Sequence, residues 1–306
     1  MIFQLKSLPK KNIDPEKWDK CVFDNKALIY CKKQYLDIMA DEWFGIVLND
    51  YEAIMPICIK QKFGIRYGYT PAFVQQLGLI GINKLTTTNE LLIALKKEIL
   101  NIARYGDIQF NYKNLFATTF CETKTNFIID LKNNYEYIFT HYKNDLKQNL
   151  KKAAKEEFIY TTTSDVEFAV DTYKNTYGER MTNILEYDYL NFKKLCTQLA
   201  TTNSCIVRQV LNKQQEVLAI ALLLVDENRI YNIANSNTAL GRTTEANHFL
   251  IDNILQEFAG SGLTFDFEGS DLPGVKQFYQ KFGALNEPYY HWHFNELPWW
   301  IKWIKK

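Results

Sequence analysis

One pattern of apolar and polar positions occurs twice along the chain. Residues 86–114 begin with threonines suited to capping a helix, continue with apolar residues at helical spacing, break at Gly106 and enter the alternating strand DIQFNY. Residues 242–270 follow the same order, break at Gly262 and enter LTFDFE. The apolar helix positions are Leu92, Leu95, Ile99 and Ile102 in the first copy and Leu250, Ile254 and Phe258 in the second. Both copies predict a helix followed by a strand.

A second pair of segments extends the repeat. Residues 42–60 predict a strand, an Asn-Asp turn and another strand, and residues 205–225 predict the same hairpin around Asn212-Lys213. Because the two matches occur in the same order, they favour a duplication. A strand over 126–131 and a helix over 135–157 put the boundary between them. We expect an α/β fold with mixed sheets, made of two side-by-side domains at 1–134 and 135–306.

Length and composition agree with two soluble domains. The 306 residues are 47% apolar, which is enough for two cores of about 150 residues each. A net charge of +1 argues against DNA binding or bulk electrostatic attachment to RNA. The six cysteines form no CxxC pair, and neither a signal peptide nor an apolar run of about 20 residues is visible. These features predict a cytoplasmic protein with reduced thiols.

The order hairpin, strand, helix, strand is the core of the GNAT acyltransferase fold. The segments KNDLKQNLKKAAKEEF, RIYNIANSN…ANHFLIDNIL, GLTFDFEGSDLPGVKQFYQKFGA and PAFVQQLGLIG resemble the tandem-GNAT, FemAB-like family, whose relatives include aminoacyltransferases of peptidoglycan bridges. The resemblance implies transfer of an acyl or aminoacyl group from a thioester or ester donor to an amine. The acceptor is expected to be a small-molecule or peptide amine, and nucleotide-linked amines belong to this class. It is expected to bind between the two domains.

The donor loop departs from the usual GNAT pattern. SNTALGRTT holds a single glycine, and the resemblance assigns donor binding to Gly241, Arg242, Thr243 and Thr244 at a helix N-terminus. It implies acyl-CoA or aminoacyl-tRNA as a co-substrate and no tightly bound cofactor. The chain has no room for the long helical arm of some relatives, which weakens the case for tRNA. The missing glycines leave open a non-catalytic ligand-binding module on the same scaffold.

Most of the candidate catalytic residues lie at the ends of predicted strands. Asp266 and Glu268 lie two apart in FDFEGS, so they are expected on one face, where a carboxylate would accept a proton from an amine. Alternatively, Glu268 caps the next turn and Asp266 pairs with a buried cation. Ser236 would position a substrate or leaving group, and Tyr279 would protonate a leaving group. Structural polar contacts and helix packing are the alternatives for these two residues.

Candidate substrate-binding residues lie in both halves. Arg180 offers a two-pronged contact to phosphate or carboxylate, and Asn235 offers a hydrogen bond to a carbonyl. The full set is Tyr69, Gln75, Gln76, Arg180, Asn235, Ser270 and Lys276. The amides in the Pro-containing loop would read an acceptor or satisfy the loop backbone.

Three other features have two interpretations each. Lys143, Lys147, Lys151 and Lys155 at i+4 steps indicate either a phosphate-binding ridge or a solvated helix face. His291 and His293 share a strand face but lack a third ligand, so we predict no metal site. The tail Trp299–Lys306, with the sequence WWIKWIKK, suits either peripheral contact with a membrane or docking onto the protein.

Overall fold

The computed structural model describes residues 4–81, 88–269 and 271–302. They divide into two compact units. Unit 1 contains Met1–Lys124 and Pro288–Lys306, and unit 2 contains Thr125–Glu287. No helix in the described ranges is long and apolar enough to cross a bilayer.

The elements are numbered along the chain. The strands are β1 (Leu5–Pro9), β2 (Glu42–Leu48), β3 (Ala53–Lys62), β4 (Ile65–Gly68), β5 (Tyr105–Phe110), β6 (Glu122–Lys124), β7 (Phe127–Asp130), β8 (Ile159–Thr163), β9 (Cys205–Leu211), β10 (Val217–Val225), β11 (Arg229–Asn237), β12 (Thr264–Asp266), β13 (Leu285–Asn286) and β14 (Tyr289–Asn295). The helices are α1 (Pro15–Asp24), α2 (Lys33–Met39), α3 (Asn89–Ile102), α4 (Tyr135–Thr140), α5 (Asn144–Ala153), α6 (Val166–Tyr177), α7 (Glu186–Ala200), α8 (Ala239–Thr243), α9 (Ala246–Phe258), α10 (Pro273–Lys281) and α11 (Trp299–Lys302).

Each unit is built on one mixed sheet, and the two sheets share a topology. Sheet 1 has the order β1-β2-β3-β4-β5-β14-β6, and sheet 2 has the order β8-β9-β10-β11-β12-β7-β13. In sheet 1, α3 connects the parallel pair β4 and β5, and in sheet 2, α9 connects the parallel pair β11 and β12. Both predicted hairpins are present, as β2–β3 and β9–β10. The expected α/β fold with a duplicated order of elements is confirmed.

The sixth strand of each sheet comes from a distant part of the chain. In sheet 1 it is β14, where Trp292 lies opposite Ile108 of β5. In sheet 2 it is β7, where Ile129 lies opposite Phe265 of β12. The chain therefore passes from unit 1 to unit 2 at 124/125 and returns to unit 1 at 287/288, whereas a single boundary at 134/135 was expected. Local apolar patterns define a strand but not its distant partner, which is why the sequence does not reveal this arrangement.

The crossover helices bury the faces that their spacing predicts. In α9 the residues Leu250, Ile251, Ile254 and Leu255 are fully buried beside the apolar run of β10. In α3 the buried residues are Leu91, Leu95, Ile99 and Ile102, so Leu91 takes the place expected for Leu92. Each such side chain contributes about 1.5–3 kcal/mol through burial. The Thr88 hydroxyl caps α3 by accepting from the Leu91 N–H.

Candidate functional site

Unit 2 contains a cavity of about 490 Å³. Its walls come from α6 and the 3-10 turn after it, from β11, from the first turn of α9, from the turn after β12, and from α10. The lining residues are Tyr173, Tyr177, Arg180, Met181, Asn232, Ile233, Asn235, Asn247, Phe267, Glu268, Gly269, Leu272, Gly274, Val275, Phe278 and Tyr279. Four predicted site residues therefore meet here: Arg180, Asn235, Glu268 and Tyr279.

A strained turn presents the carboxylate of Glu268 to the cavity. Strand β12 ends at Asp266, and Glu268 then adopts a φ of 61°, in the left-handed region that costs a non-glycine residue about 1–3 kcal/mol. The Glu268 N–H donates to Asp266 Oδ1 at 2.9 Å, which holds the turn. The expectation that Asp266 and Glu268 share a strand face is wrong, because the strand ends before Glu268.

Asp266 belongs to a buried ionic network beneath the turn. Its Oδ2 accepts from Arg229 Nη1 at 2.6 Å and from Asn126 Nδ2 at 3.2 Å. Arg229 Nη1 also donates to Glu287 Oε2 at 2.7 Å. Burial works to lower the pKa of Arg229, but the charges of Asp266 and Glu287 outweigh it, so its pKa is raised. Asp266 therefore pairs with a buried cation, holds the turn and is absent from the cavity lining.

Three asparagines of the cavity lining have buried polar atoms without a partner. Within the described residues, Asn232 Oδ1, Asn235 Nδ2 and Asn247 Oδ1 are buried and have no hydrogen-bond partner. A buried polar atom without a partner costs about 1–3 kcal/mol, and native proteins contain few of them. Because the same three residues line the cavity, they are candidates for contact with a polar ligand. The Ser236 Oγ is also buried and unpaired, but Ser236 is not a lining residue.

Aromatic side chains form the apolar wall of the cavity. The Tyr279 ring lies 4.5 Å from the Phe267 ring, so the packing role considered for it is present. Burial, followed by the neighbouring Tyr173 and Glu268, raises the pKa of the Tyr279 hydroxyl. Burial likewise raises the pKa of Tyr173. Both phenols are therefore protonated near neutral pH, and Tyr279 keeps a proton that it can donate.

Of the remaining predicted residues of this region that the structure describes, Arg180 lines the cavity and Lys276 does not. Arg180 is exposed, and its guanidinium has no hydrogen bond or ion pair with the described part of the chain. Lys276 is not a lining residue, and its Nζ lies 5.9 Å from the centroid of the Phe127 ring. Ser270 lies outside the described residues. Between the two described residues, it is Arg180 that is placed to meet a ligand in the cavity.

Two solved structures are similar to this chain over almost its whole length. FemX aligns over 100% of both chains with a TM-score of 0.69 and 13% identity. The tandem GNAT protein from the clavulanic acid biosynthesis pathway aligns over 96% of this chain and 99% of its own, with a TM-score of 0.53 and 10% identity. The chain shares its fold with FemX and with this tandem GNAT protein. No family model and no curated protein matches the sequence.

A third structure shares this fold. The C-terminal domain of a putative lysylphosphatidylglycerol synthetase from Agrobacterium fabrum aligns over 90% of this chain and 89% of its own, with a TM-score of 0.55 and 14% identity. The tandem-GNAT fold accounts for the repeated β4–α3–β5 and β11–α9–β12 crossovers. The cavity of unit 2 lies beside the second of these crossovers.

The loop to which the family resemblance assigns donor binding makes hydrogen bonds within itself. The Gly241 N–H donates to the Thr238 Oγ1 at 3.0 Å, as a cap of the five-residue α8. A Cβ at Gly241 would lie 2.4 Å from the Leu218 carbonyl oxygen, so close packing on β10 explains the glycine. The Thr243 and Thr244 hydroxyls donate to a helix carbonyl, and Arg242 is exposed. None of the four residues lines the cavity.

The predicted acceptor residues of the first half lie in unit 1. Gln76 is completely buried, where its Oε1 accepts from the Tyr112 N–H at 3.0 Å. Its Nε2 donates to Gln75 Oε1 at 2.5 Å. The Tyr69 hydroxyl accepts from the Asp41 N–H. Gln76 therefore satisfies the loop backbone, which is the alternative to substrate binding. The acceptor site expected between the domains stays a prediction.

The structure also describes the four lysines and the two histidines for which the sequence left open more than one interpretation. The predicted helix over 135–157 is divided into α4 and α5, and Lys143 and Lys155 lie outside α5, so the four lysines do not form one helical ridge. His291 and His293 both contact Asp107 Oδ1, at 3.1 and 2.9 Å. Among the described residues, no group of histidines, cysteines and carboxylates has a geometry that would hold a metal.

Sequence reasoning missed several lining residues. Tyr173 and Tyr177 are spaced i, i+4 on α6, a pattern that is equally typical of a core face. Asn232 interrupts the apolar strand IYNIA, and Asn247 lies in the first turn of α9. The available signal was a polar amide within an apolar strand, because such a residue requires a partner once it is buried.

Proposed function

We propose that the chain is an N-acyltransferase whose reacting groups meet in the unit 2 cavity. The observation that carries the proposal is the presence in one cavity of a carboxylate, a protonated phenol and unpaired amide atoms, contributed by Glu268, Tyr279 and the three asparagines. A tandem-GNAT fold supports this assignment, as does the structural similarity to a putative lysylphosphatidylglycerol synthetase from Agrobacterium fabrum. The reaction moves an acyl or aminoacyl group from a thioester or ester to an amine.

Each group has a role in this reaction. Glu268 accepts a proton from the acceptor amine as its nitrogen attacks the donor carbonyl. The Asn235 Nδ2 donor stabilises the negative charge that develops on the carbonyl oxygen. Tyr279 donates its proton to the departing thiolate or alkoxide. The products are an amide and a thiol or alcohol, and proton exchange with solvent returns Glu268 to its charged form and Tyr279 to its neutral form.

The composition of the cavity favours direct transfer. Its described lining residues include no cysteine, serine, threonine, lysine or histidine. A covalent acyl-enzyme built on one of these nucleophiles is therefore not part of the proposal. The rate would come from holding the amine next to the carbonyl and from electrostatic stabilisation, which together account for much of enzymatic acyl transfer.

The test begins with the donor. Thermal shift with acetyl-CoA, aminoacyl-tRNA and a UDP-linked muropeptide identifies which compounds bind. Mass spectrometry then follows N-acylation of an amine by each binding donor. We expect Glu268→Gln to keep the thermal shift and to lose product formation by about 10²–10⁴-fold, the usual range for removal of a general base.

Glu179→Gln is the matched control. Glu179 is an exposed acid of the same unit that does not line the cavity, so its substitution should leave the rate unchanged. Stabilisation by a donor without any product would contradict catalysis and support the ligand-binding module. Equal rates for Glu268→Gln and the unmodified chain would remove Glu268 from the mechanism.

A further inference from the structure

The lining of the unit 2 cavity carries charges of both signs. Among its described residues, Glu268 is the acid and Arg180 is the base, and the other lining side chains are neutral. A ligand that fills the cavity therefore meets one carboxylate and one guanidinium. Its complement has one positive and one negative group and no net charge.

The two charges lie at different places along the cavity wall. Burial is the main cause of the raised pKa of the Tyr173 phenol, and neighbouring tyrosines and the charge of Glu268 add to it, so Glu268 lies close to Tyr173. Arg180 ends the 3-10 turn that follows α6, in the second turn of chain beyond Tyr173. The rise of the two helical segments puts Arg180 up to about 12 Å further along the wall. The matching groups of a ligand are therefore separated by a chain of atoms.

Oxygen acceptors accompany Glu268 at its end of the cavity. Tyr231 of β11 pairs in parallel with Asp266, so Asn232 lies beside the turn that presents Glu268. Within the described residues, the buried Oδ1 atoms of Asn232 and Asn247 have no donor. A buried acceptor without a donor is costly, and an ammonium group supplies three N–H donors. This end of the cavity therefore suits an ammonium ion.

Aromatic rings strengthen the preference for a cation. The rings of Tyr173 and Tyr177 have centroids 5.4 Å apart, and those of Phe267 and Tyr279 have centroids 4.5 Å apart. The face of an aromatic ring attracts an ammonium ion, most strongly where water is excluded. An alkyl amine has a pKa of about 10.4, so it enters the cavity as an ammonium ion near neutral pH.

Arg180 provides the opposite charge at the mouth. It is exposed, and its guanidinium has no hydrogen bond or ion pair with the described part of the chain. The planar guanidinium matches a carboxylate through two parallel hydrogen bonds. A phosphate monoester carries a charge of about −1.5 to −2 at neutral pH, and the described lining has no second cation to balance it. A carboxylate therefore fits this end better.

We propose that the acceptor is an amino acid whose amine is distant from its carboxylate, with the ammonium held at Glu268 and the carboxylate held at Arg180. The inference rests on the proposed function for the identification of this ligand as the acceptor. One ammonium proton passes to solvent, and the neutral amine then attacks the donor carbonyl. The cavity volume of about 490 Å³ lies within the range of small-molecule sites.

Isothermal titration calorimetry without any donor tests the recognition separately from the chemistry. The probes are 6-aminohexanoate, 6-aminohexanamide, which lacks the negative charge, and hexanoate, which lacks the amine. We expect 6-aminohexanamide to bind about threefold to tenfold more weakly than 6-aminohexanoate, since the contact with the exposed Arg180 is partly solvated. Hexanoate should bind about 10- to 100-fold more weakly, because the ammonium meets the more buried end.

Variants assign each end of the probe to a residue. Arg180→Gln should weaken binding of 6-aminohexanoate to the level of 6-aminohexanamide and leave 6-aminohexanamide unaffected, whereas Arg180→Lys should recover part of the loss. Glu268→Gln should weaken both amines. Arg104→Gln is the matched control, because Arg104 is exposed, belongs to unit 1 and does not line the cavity. Circular dichroism checks that each variant is folded.

Several results would overturn the inference. They are absence of binding by 6-aminohexanoate at millimolar concentration, equal affinity for 6-aminohexanoate and 6-aminohexanamide, and an equal loss of affinity for Arg104→Gln and Arg180→Gln. Tighter binding of 6-aminohexyl phosphate would assign Arg180 to a phosphate instead.

Failure of the inference and failure of the acyl-transfer proposal give different results. Binding of 6-aminohexanoate without N-acylation by any donor would refute acyl transfer and leave the recognition of the two charged ends in place. N-acylation of 6-aminohexanamide with the same kcat/KM as 6-aminohexanoate would refute the recognition of the carboxylate and leave acyl transfer in place.

Discussion

Removal of the Arg229 guanidinium is expected to destabilise unit 2 strongly. Its side chain is 6% exposed, and that of its partner Asp266 is 2% exposed. Arg229→Leu keeps much of the side-chain volume but leaves the Asp266 carboxylate buried, with only Asn126 and one backbone N–H as donors. The partly buried Glu287 also loses its cation.

The expected loss of stability follows from the burial of the Arg229–Asp266 ion pair. Removing one partner of a buried ion pair costs about 3–5 kcal/mol, because the other charge stays in a poorly solvated site. For a domain of about 150 residues this corresponds to a decrease in Tm of about 6 to 20 °C. Arg229→Leu combined with Asp266→Asn should recover most of the loss, since the asparagine is neutral and still accepts from the Glu268 N–H.

Urea denaturation and differential scanning calorimetry measure the change. The control is Lys213→Ala, which breaks a 2.7 Å ion pair with Glu157 whose side chains are more than half exposed. Exposed pairs contribute about 0–1 kcal/mol. If Arg229→Leu costs no more than Lys213→Ala, or if the double variant is less stable than Arg229→Leu, the assignment of Asp266 as the dependent charge is refuted.

Three further predictions concern other residues. Gly241→Ala should destabilise unit 2 by about 1–3 kcal/mol through overpacking, whereas Gly274→Ala, with open space at its Cβ, should be nearly neutral in the same denaturation assay. The hydrogen bond that the His291 imidazole donates to Asp107 raises the pKa of His291. The stabilisation of unit 1 by this pair is therefore complete below the unfolded pKa of about 6.5 and is lost as pH rises through the folded pKa. His291→Gln should flatten the measured decline in stability over that range. Glu268→Gly should relieve the left-handed φ and stabilise unit 2 by up to about 1 kcal/mol while product formation disappears; a loss of stability would show that the side chain supports the turn.

Elements with strong periodicity were predictable from the sequence. The alternation in 42–60 and 205–225 corresponds to β2–β3 and β9–β10, and the spacing of apolar residues corresponds to α3 and α9. These patterns are local, because each face of a helix or strand is set by its own residues. The sheet partners of β7 and β14 were not predictable, because strand pairing across more than a hundred residues leaves no local pattern.

The candidate site was predictable where polar residues follow a strand. Glu268 was found by that rule, whereas Asn235 lies within β11, and Arg180 and Tyr279 were proposed from their residue types. Tyr173 was missed because an aromatic residue on a helix usually belongs to the core. The difference between Asp266 and Glu268 was also beyond the sequence, since it depends on a backbone that leaves the strand between them.

The order in which the chain passes through its two units has a consequence for protein synthesis. Unit 2 is one continuous segment, whereas unit 1 needs β14, which is translated after unit 2. Domains usually fold in the order of their translation, and here the later unit is expected to finish first. Until β14 leaves the ribosome, one edge of β5 has no partner, so the nascent chain exposes a strand edge that other strands can pair with.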